Sequence, residues 1–482
     1  MPLDLRDWLD RIQSLDLLRK VRSVDWDQEV GAIADLNVKR NKYTLLFDEI
    51  KDSPKGFRIL TGALIDSIRL SVTLGLPDTL NNLELVQHLR EKLASEKKNP
   101  EGTSPKLVKS APLFQNVLEG DAIDLFKFPS PRWFEGDGGR YMGTGDAVVT
   151  RDPETGWVNV GSYRMMLQDK RTLSLFLEGP RHARFMLQKY WEQGEPAPIA
   201  VSFGHHPLIM LSAGLEVASG VSEYNTAGAL VDTPYQIVKG PLTGLPLPAD
   251  SEIAIEGYVY QEPSSEGPFG EFIGYYSSGT TQSPTVRVEA VYHRDDPIML
   301  GACVGKPPHD TIYFRCPMRA AMIWDFLEKA GLDGIKGVWC HEPAYSRAFT
   351  VVSIKQMFAG HARMAGYLAC QCKPGAVTGR YVVVVDEDID PSNLDDVVWA
   401  LCSRSDPATG IEIIRESLGT PLDPISDHSP DKDILEYTSS RAIIFAVKPF
   451  GRMLRGEFPR VVEPNPKVKE RILEQWSEIF SD

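Results

Sequence analysis

The run Glu266-Gly267-Pro268-Phe269-Gly270-Glu271 sets two carboxylates at either end of a short stretch of turn formers around one aromatic ring. In a regular strand their odd offset would send the two side chains to opposite faces. Pro268 fixes its own φ, and Gly267 and Gly270 permit positive φ, so a tight turn can bring both acids to one place. Paired acids on a rigid turn suit proton transfer beside a site that binds a carboxylate. A second run, Asn159-Val160-Gly161-Ser162-Tyr163-Arg164, carries an amide and a guanidinium at the same offset. An Arg on a strand is commonly a surface or salt-bridge residue. If buried it needs an acid, and Glu266 and Glu271 are candidates.

His182, in GPRHARFM, stands near a helix start, and Glu223 lies in GVSEYNTAGAL. Taken singly they read as a structural histidine and a surface or capping acid. With Asn159 they offer nitrogen and oxygen donors that suit a borderline-hard divalent ion such as Mn²⁺ or Mg²⁺. Spacing alone does not bring the three together. His205-His206 has no third ligand nearby and reads as strand-end structure. Asp386, Glu387, Asp388 and Asp390 follow a four-valine strand and read as a solvated turn, although strand C-termini in α/β layers also carry sites. Gly143-Thr144-Gly145 is too short for a dinucleotide fingerprint, and neither GxGxxG nor GxxxxGK[ST] occurs. That counts against a Rossmann NAD enzyme and a P-loop ATPase. The glycines could still admit a ligand phosphate to the backbone.

The elements that must hold these residues fall into three blocks and a tail. Trp8, Leu9, Ile12 and Leu15 fall at helical spacing, and TLLFDEI (44–50) and FRILTGA (57–63) read as strands. Residues 95–112 are polar and Pro-containing and read as a linker or crossover. Between 115 and 304 strands dominate, including GDAVVTRD, WVNVGSYRMMLQ, TLSLFL, IAVSFG, SEIAIEGYVY, TVRVEAVYH and IMLGACVG. That pattern implies a sheet-rich domain or barrel with inserted helices, one of them beginning near Pro180. From 305 to about 445 strands and helices alternate, the mark of an α/β layer with parallel strands. NPKVKERILEQWSEIF closes the chain as an amphipathic helix with Asn465 as N-cap, Pro466 at N1, and Val468, Ile472, Trp476 and Ile479 as one apolar stripe. Such a stripe docks on its own core or on a second subunit.

Of 482 residues, 42% are hydrophobic and 24% charged, a composition that supports ordinary cores. The net charge of −14 argues against general nucleic-acid binding and against anionic membrane surfaces. An anionic substrate must then be drawn in by a local positive charge. No apolar run approaches the roughly 18 residues of a membrane span. The start MPLDLRDWLDRIQ lacks an apolar signal core. The six cysteines, Cys303 to Cys402, form no CxxC pair. A reducing, cytoplasmic setting is the expectation.

Together these motifs resemble the UbiD family of decarboxylases. NVGSYR (159–164), GPRHA (179–183), GVSEYNTAGAL (220–230), EGPFGE (266–271), GKPPHD (305–310), AGHAR (359–363), VVVDEDID (383–390) and VVWALCSRSDP (397–407) match in order along nearly the whole chain. The resemblance implies an α/β (α+β) multidomain fold. Its parts are an N-terminal α/β segment (1–114), a central split β-barrel that binds flavin (115–304), a C-terminal α/β domain (305–447) and an oligomerising tail helix (448–482). It implies prenylated FMN supplied by a flavin prenyltransferase, with Mn²⁺ and K⁺ bridging its phosphate to protein. Asn159, His182 and Glu223 then correspond to the metal ligands. Arg164, Glu266 and Glu271 correspond to the catalytic trio. Thr144, Ser162, Tyr163 and Arg181, with the main chain at Gly214 and Leu215, line the cofactor beside the metal ligands and Arg164, and Lys373 stands for a family lysine near it. The implied activity is reversible, non-oxidative decarboxylation of an aromatic, heteroaromatic or α,β-unsaturated acid by a homo-oligomer, dimer or hexamer, with Arg164 and Glu266 orienting the carboxylate and Glu271 as proton donor. The segment 420–431, with Leu422 and Ile425, and His309 are expected near the substrate. The alternatives are an FMN-dependent oxidoreductase on the same barrel and a non-catalytic subunit of a multi-subunit carboxylase.

Overall fold

The computed structural model describes residues 3–40, 42–98, 103–177, 179, 181–215, 217–277, 279–376, 378–426 and 436–480. The first helix, Leu5–Ser14, buries Leu5, Trp8, Leu9 and Ile12 along one face, and the Asp4 carboxylate caps it by accepting from the Arg6 N–H. Its stripe packs on an N-terminal sheet of four strands: Leu18–Arg22, Thr44–Asp48, Arg58–Thr61 and Ile298–Leu300. The fourth strand differs from the sequence reading, which put IMLGACVG in the central unit. It pairs parallel to Arg58–Thr61 and so stitches the central chain back into the N-terminal block. The supposed linker also carries structure. The helix Asn82–Lys98 runs into it, and Lys106–Val108 pairs parallel to Gln236–Lys239.

The centre is a curled antiparallel sheet of nine strands, running from Tyr141–Gly143 at one end to Val158–Gly161 at the other. Its spine is a long hairpin, Ile253–Glu266 against Thr281–His293, with Glu266 opposite Thr281. Register shifts after Glu256 and Tyr260 put bulges in these strands, and bulges increase twist and curl. Val148, Val201, Phe203, Ile255 and Val286 fill the core on one side. WVNVGSYRMMLQ, read as one strand, is two. Val158–Gly161 pairs with Ala147–Arg151, whereas Met165–Leu167 pairs with Tyr141–Gly143 and Thr172–Leu175. Between them the Tyr163 ring folds back over Gly161, where a Cβ would fall 2.4 Å from its Cε2. This break carries Arg164.

The C-terminal block has a five-stranded sheet in the order Ile335–Cys340, Phe349–Ile354, Tyr381–Asp386, Thr438–Ala446, Ile411–Leu418. Its central pairings are parallel, as the alternation implies, but both edge strands are antiparallel and escaped the sequence reading. The acidic run is not a solvated turn throughout. Asp386 is buried and pairs with Arg404 at 3.0 Å, while Asp388 takes both ends of the same guanidinium. The tail helix Pro466–Gln475 is capped by Asn465, as its sequence implies. All six cysteines are free. Among the described residues no helix is long and apolar enough to cross a membrane.

Candidate active site

The turn after Glu266 brings its two carboxylates to one guanidinium. Gly267 has φ +85°, where a side chain would be strained and would meet the Gly279 carbonyl. Arg164, distant in the chain, enters from the break between two strands. Its Nε donates to Glu266 Oε1 at 2.8 Å and its Nη2 to Oε2 at 3.0 Å, while Nη1 donates to Glu271 Oε1 at 2.7 Å. Glu266 is fully buried and Glu271 nearly so. The guanidinium lies over the Phe176 ring, 3.5 Å from its centroid. Burial works against its charge, but Glu271 and Glu266 outweigh that and raise its pKa above the ordinary value. The geometry therefore keeps a fixed, largely buried cation between two acids.

The second predicted group surrounds the Tyr163 phenol. Burial raises the pKa of this phenol, the nearby charge of Arg181 lowers it and that of Glu223 raises it. Asn159 is buried on its strand opposite Thr150, whose hydroxyl its amide reaches at 3.4 Å. Glu223 opens the helix Glu223–Leu230 and accepts from the Val160 N–H at 2.6 Å. Burial pushes its carboxyl up to about 8. His182 opens the helix His182–Glu192, edge-on to Trp157. Burial lowers its pKa, and the positive charges of Lys373 and Arg181 lower it further.

The other predicted lining residues also have partners within the protein. Thr144 Oγ1 accepts from the Ala302 N–H at 2.9 Å, and Ser162 Oγ donates to Asp146 at 3.2 Å. Gly214 ends the helix Pro207–Ala213 against Phe314, with half-buried Leu215 next to it. A Cβ at Gly143 would meet Asp146, and one at Gly145 the Leu300 carbonyl, so packing requires glycine at both positions. His309 is buried, with Nε2 donating to the Phe272 carbonyl at 3.1 Å. Ile425 is 74% exposed, and positions 427–431 lie outside the described residues.

The donors fit a flavin phosphate held through a cation. Arg181 and Lys373 concentrate positive charge beside His182, in a chain of net charge −14. Glu223, uncharged at neutral pH by burial alone, would ionise against a metal ion. Asp146 is fully buried beneath the Ser162–Tyr163 bend, and its Oδ2 has no hydrogen-bond partner among the described residues. No three His, Cys, Asp or Glu side chains group as a metal site among the described residues; the predicted set has two such groups and an amide. Sequence reasoning missed Tyr141 and Thr281, which reach Glu266 at 3.0 and 3.4 Å, and Phe176. A lone Tyr or Thr at a strand end carries no local signal.

Three domain descriptions match the chain, all of 3-octaprenyl-4-hydroxybenzoate carboxy-lyase: the N-terminal domain at residues 9–93, the Rift-related domain at 106–307 and the C-terminal domain at 312–446. The chain belongs to the UbiD family. It is a UbiD-like carboxy-lyase. Pyrrole-2-carboxylic acid decarboxylase of Pseudomonas aeruginosa is 30% identical over 494 residues, covering 99% of this chain and 98% of that protein. Vanillic acid decarboxylase of Sedimentibacter hydroxybenzoicus in open form has a TM-score of 0.86 at 26% identity, covering 100% of this chain and 99% of that one. An evolved dimeric form of HmfF from Pelotomaculum thermopropionicum, in complex with prFMN, has a TM-score of 0.81 at 26% identity, covering 96% and 97%. These similarities make a UbiD-class flavin site the frame for this chain's two residue clusters.

Proposed function

We propose that the protein is a prenylated-FMN-dependent, reversible, non-oxidative decarboxylase of an aromatic, heteroaromatic or α,β-unsaturated carboxylic acid. One observation carries this reading: Arg164 forks onto buried Glu266 and reaches buried Glu271 with its third nitrogen. Arg164 binds the substrate carboxylate, and Glu266 fixes the plane of the guanidinium that does so. The bond from the carboxyl carbon to the substrate breaks, CO₂ leaves, and Glu271 delivers the proton that replaces it. Proton delivery of this kind contributes about 10²- to 10⁴-fold. Prenylated FMN, when bound, supplies the electron sink that protein side chains lack.

Asn159, His182 and Glu223 would hold Mn²⁺, which with K⁺ would supply positive charge for the flavin phosphate in a protein that is otherwise negative. Arg181 and Lys373 add positive charge there, and Ser162, Tyr163, Thr144 and the 214–215 main chain shape the walls. A flavin prenyltransferase supplies the cofactor. The exposed apolar stripe of the tail helix supports assembly as a homo-oligomer. The filled trio disfavours a non-catalytic subunit.

The test is to make the protein alongside a flavin prenyltransferase and offer it aryl, heteroaryl and acrylic acids without an electron acceptor. Release of one CO₂ per acid consumed is expected. Turnover that requires NADH or another acceptor would replace this reading with the oxidoreductase.

A further inference from the structure

The segment just before Tyr141–Gly143 acts as a mould for the catalytic turn. The Gly138 N–H donates to the Pro268 carbonyl at 2.8 Å, and a Cβ on Gly138 would fall 1.9 Å from the Gly267 oxygen. Asp137 accepts from the Phe134 N–H at 2.9 Å and from the Tyr276 hydroxyl at 3.1 Å. The fully buried Tyr141 ring packs on Phe269, the aromatic of the turn, with centroids 4.3 Å apart. Its hydroxyl donates to Glu266 Oε1 at 3.0 Å. Tyr141 also pairs with Met166, on the strand that begins directly after Arg164. One strand pair therefore sets both the guanidinium and the phenol that meet the same carboxylate.

The donors around Glu266 balance across its two oxygens. Oε1 receives Arg164 Nε and the Tyr141 hydroxyl, and Oε2 receives Arg164 Nη2 and, at 3.4 Å, the Thr281 hydroxyl. In a site closed to water a carboxylate keeps one orientation only while its lone pairs are met on both sides. Burial raises the Tyr141 phenol pKa, so it remains a donor at any working pH. We propose that Tyr141 is a positioning residue: it locks Glu266 in the two-bond pairing that aims Arg164 at the substrate carboxylate. This inference rests on the decarboxylase reading above for its catalytic consequence, but not for its geometry.

Tyr141→Phe keeps the ring on Phe269 and removes only the hydroxyl. The holoenzyme, wild type and variant, is compared by flavin content, kcat/KM and crystal structure. Flavin content is expected to stay at the wild-type level and kcat/KM to fall about 10- to 100-fold, the value of one hydrogen bond to a charged group. The crystal structure is expected to show one of the two Arg164–Glu266 bonds opened. An unchanged kcat/KM would overturn the proposal. So would a loss of activity matched by loss of flavin with both Arg164–Glu266 bonds intact, the signature of a purely structural tyrosine. If the wild-type holoenzyme releases CO₂ from no acid, the decarboxylase reading fails. The variant's crystal structure then decides the positioning claim alone, and intact two-bond pairing overturns it.

Discussion

Arg164 Nη1 and Glu271 Oε1 are 2.7 Å apart, so the proposed proton donor is held on the same guanidinium that is proposed to bind the substrate. Glu271→Gln retains an oxygen for that contact and loses only the transferable proton. The expected result is a fall in turnover of about 10²- to 10⁴-fold with flavin content unchanged. Absorbance of the bound flavin and CO₂ release measure the two halves. Full activity in this variant removes Glu271 from the role.

Arg164→Lys tests direction rather than charge. A lysine ammonium is a point donor on a flexible stem and cannot fork onto Glu266 while reaching Glu271. It also loses the flat stacking on Phe176. A drop in kcat/KM of at least about 10²-fold is expected, as for other misplaced reacting partners. A lysine variant within a few-fold of wild type would show that any cation suffices there.

What the sequence made legible follows from how local each signal is. The Gly-Pro-Phe-Gly turn announces that Glu266 and Glu271 can converge, since only backbone freedom within six residues is at stake. Arg164 joins them across a hundred residues, and nothing in NVGSYR specifies its partner; the family resemblance supplied that link. The break that aims Arg164 was hidden, because VNVGSYRMML has the composition of one continuous strand. Ile298–Leu300 read correctly as a strand, yet an apolar strand does not state which sheet it joins. Asp386 and Asp388 looked like a solvated run because the pairing Arg404 lies on the following helix, a contact set by tertiary packing. Tyr141 left no trace for the same reason.

The buried titratable groups give the cofactor-free protein a pH dependence of definite sign. Burial pushes His205, His206 and His309 down to about 3 and His341 to about 4, from an ordinary 6.5. The unfolded chain protonates them first, so they add stability as pH rises to 6.5. Burial pushes Asp250 and Asp310 up to about 7 and Asp146 up to about 8, from 3.8. Their contribution is complete below 3.8 and is lost as pH rises through those folded values. Up to 6.5 the two sets oppose each other; beyond it only the acids remain. Stability is therefore expected to fall between pH 6.5 and 8, by about 1.4 kcal/mol per pH unit for each acid still titrating. Urea midpoints at the two pH values measure it. An equal or higher midpoint at pH 8 contradicts this account.

The tail is the last element whose role can be read from exposure. Val468, Trp476 and Ile479 of the stripe are 42–66% exposed on or just after the helix Pro466–Gln475, Ile472 is half-buried, and Val462 before the helix is fully exposed. A single chain thus leaves most of this amphipathic stripe bare. Each large side chain covered by a partner would contribute about 1.5–3 kcal/mol at full burial. The stripe is therefore expected to bind a second copy, and removing residues 457–482 is expected to convert a dimer or hexamer into monomers. Light scattering behind size exclusion reads the mass directly. The catalytic trio lies in other elements, so the truncated chain should keep the Arg164–Glu266 pairing. A full-length chain that runs as a monomer at micromolar concentration, or a truncated one that keeps the full-length assembly, would assign the stripe elsewhere.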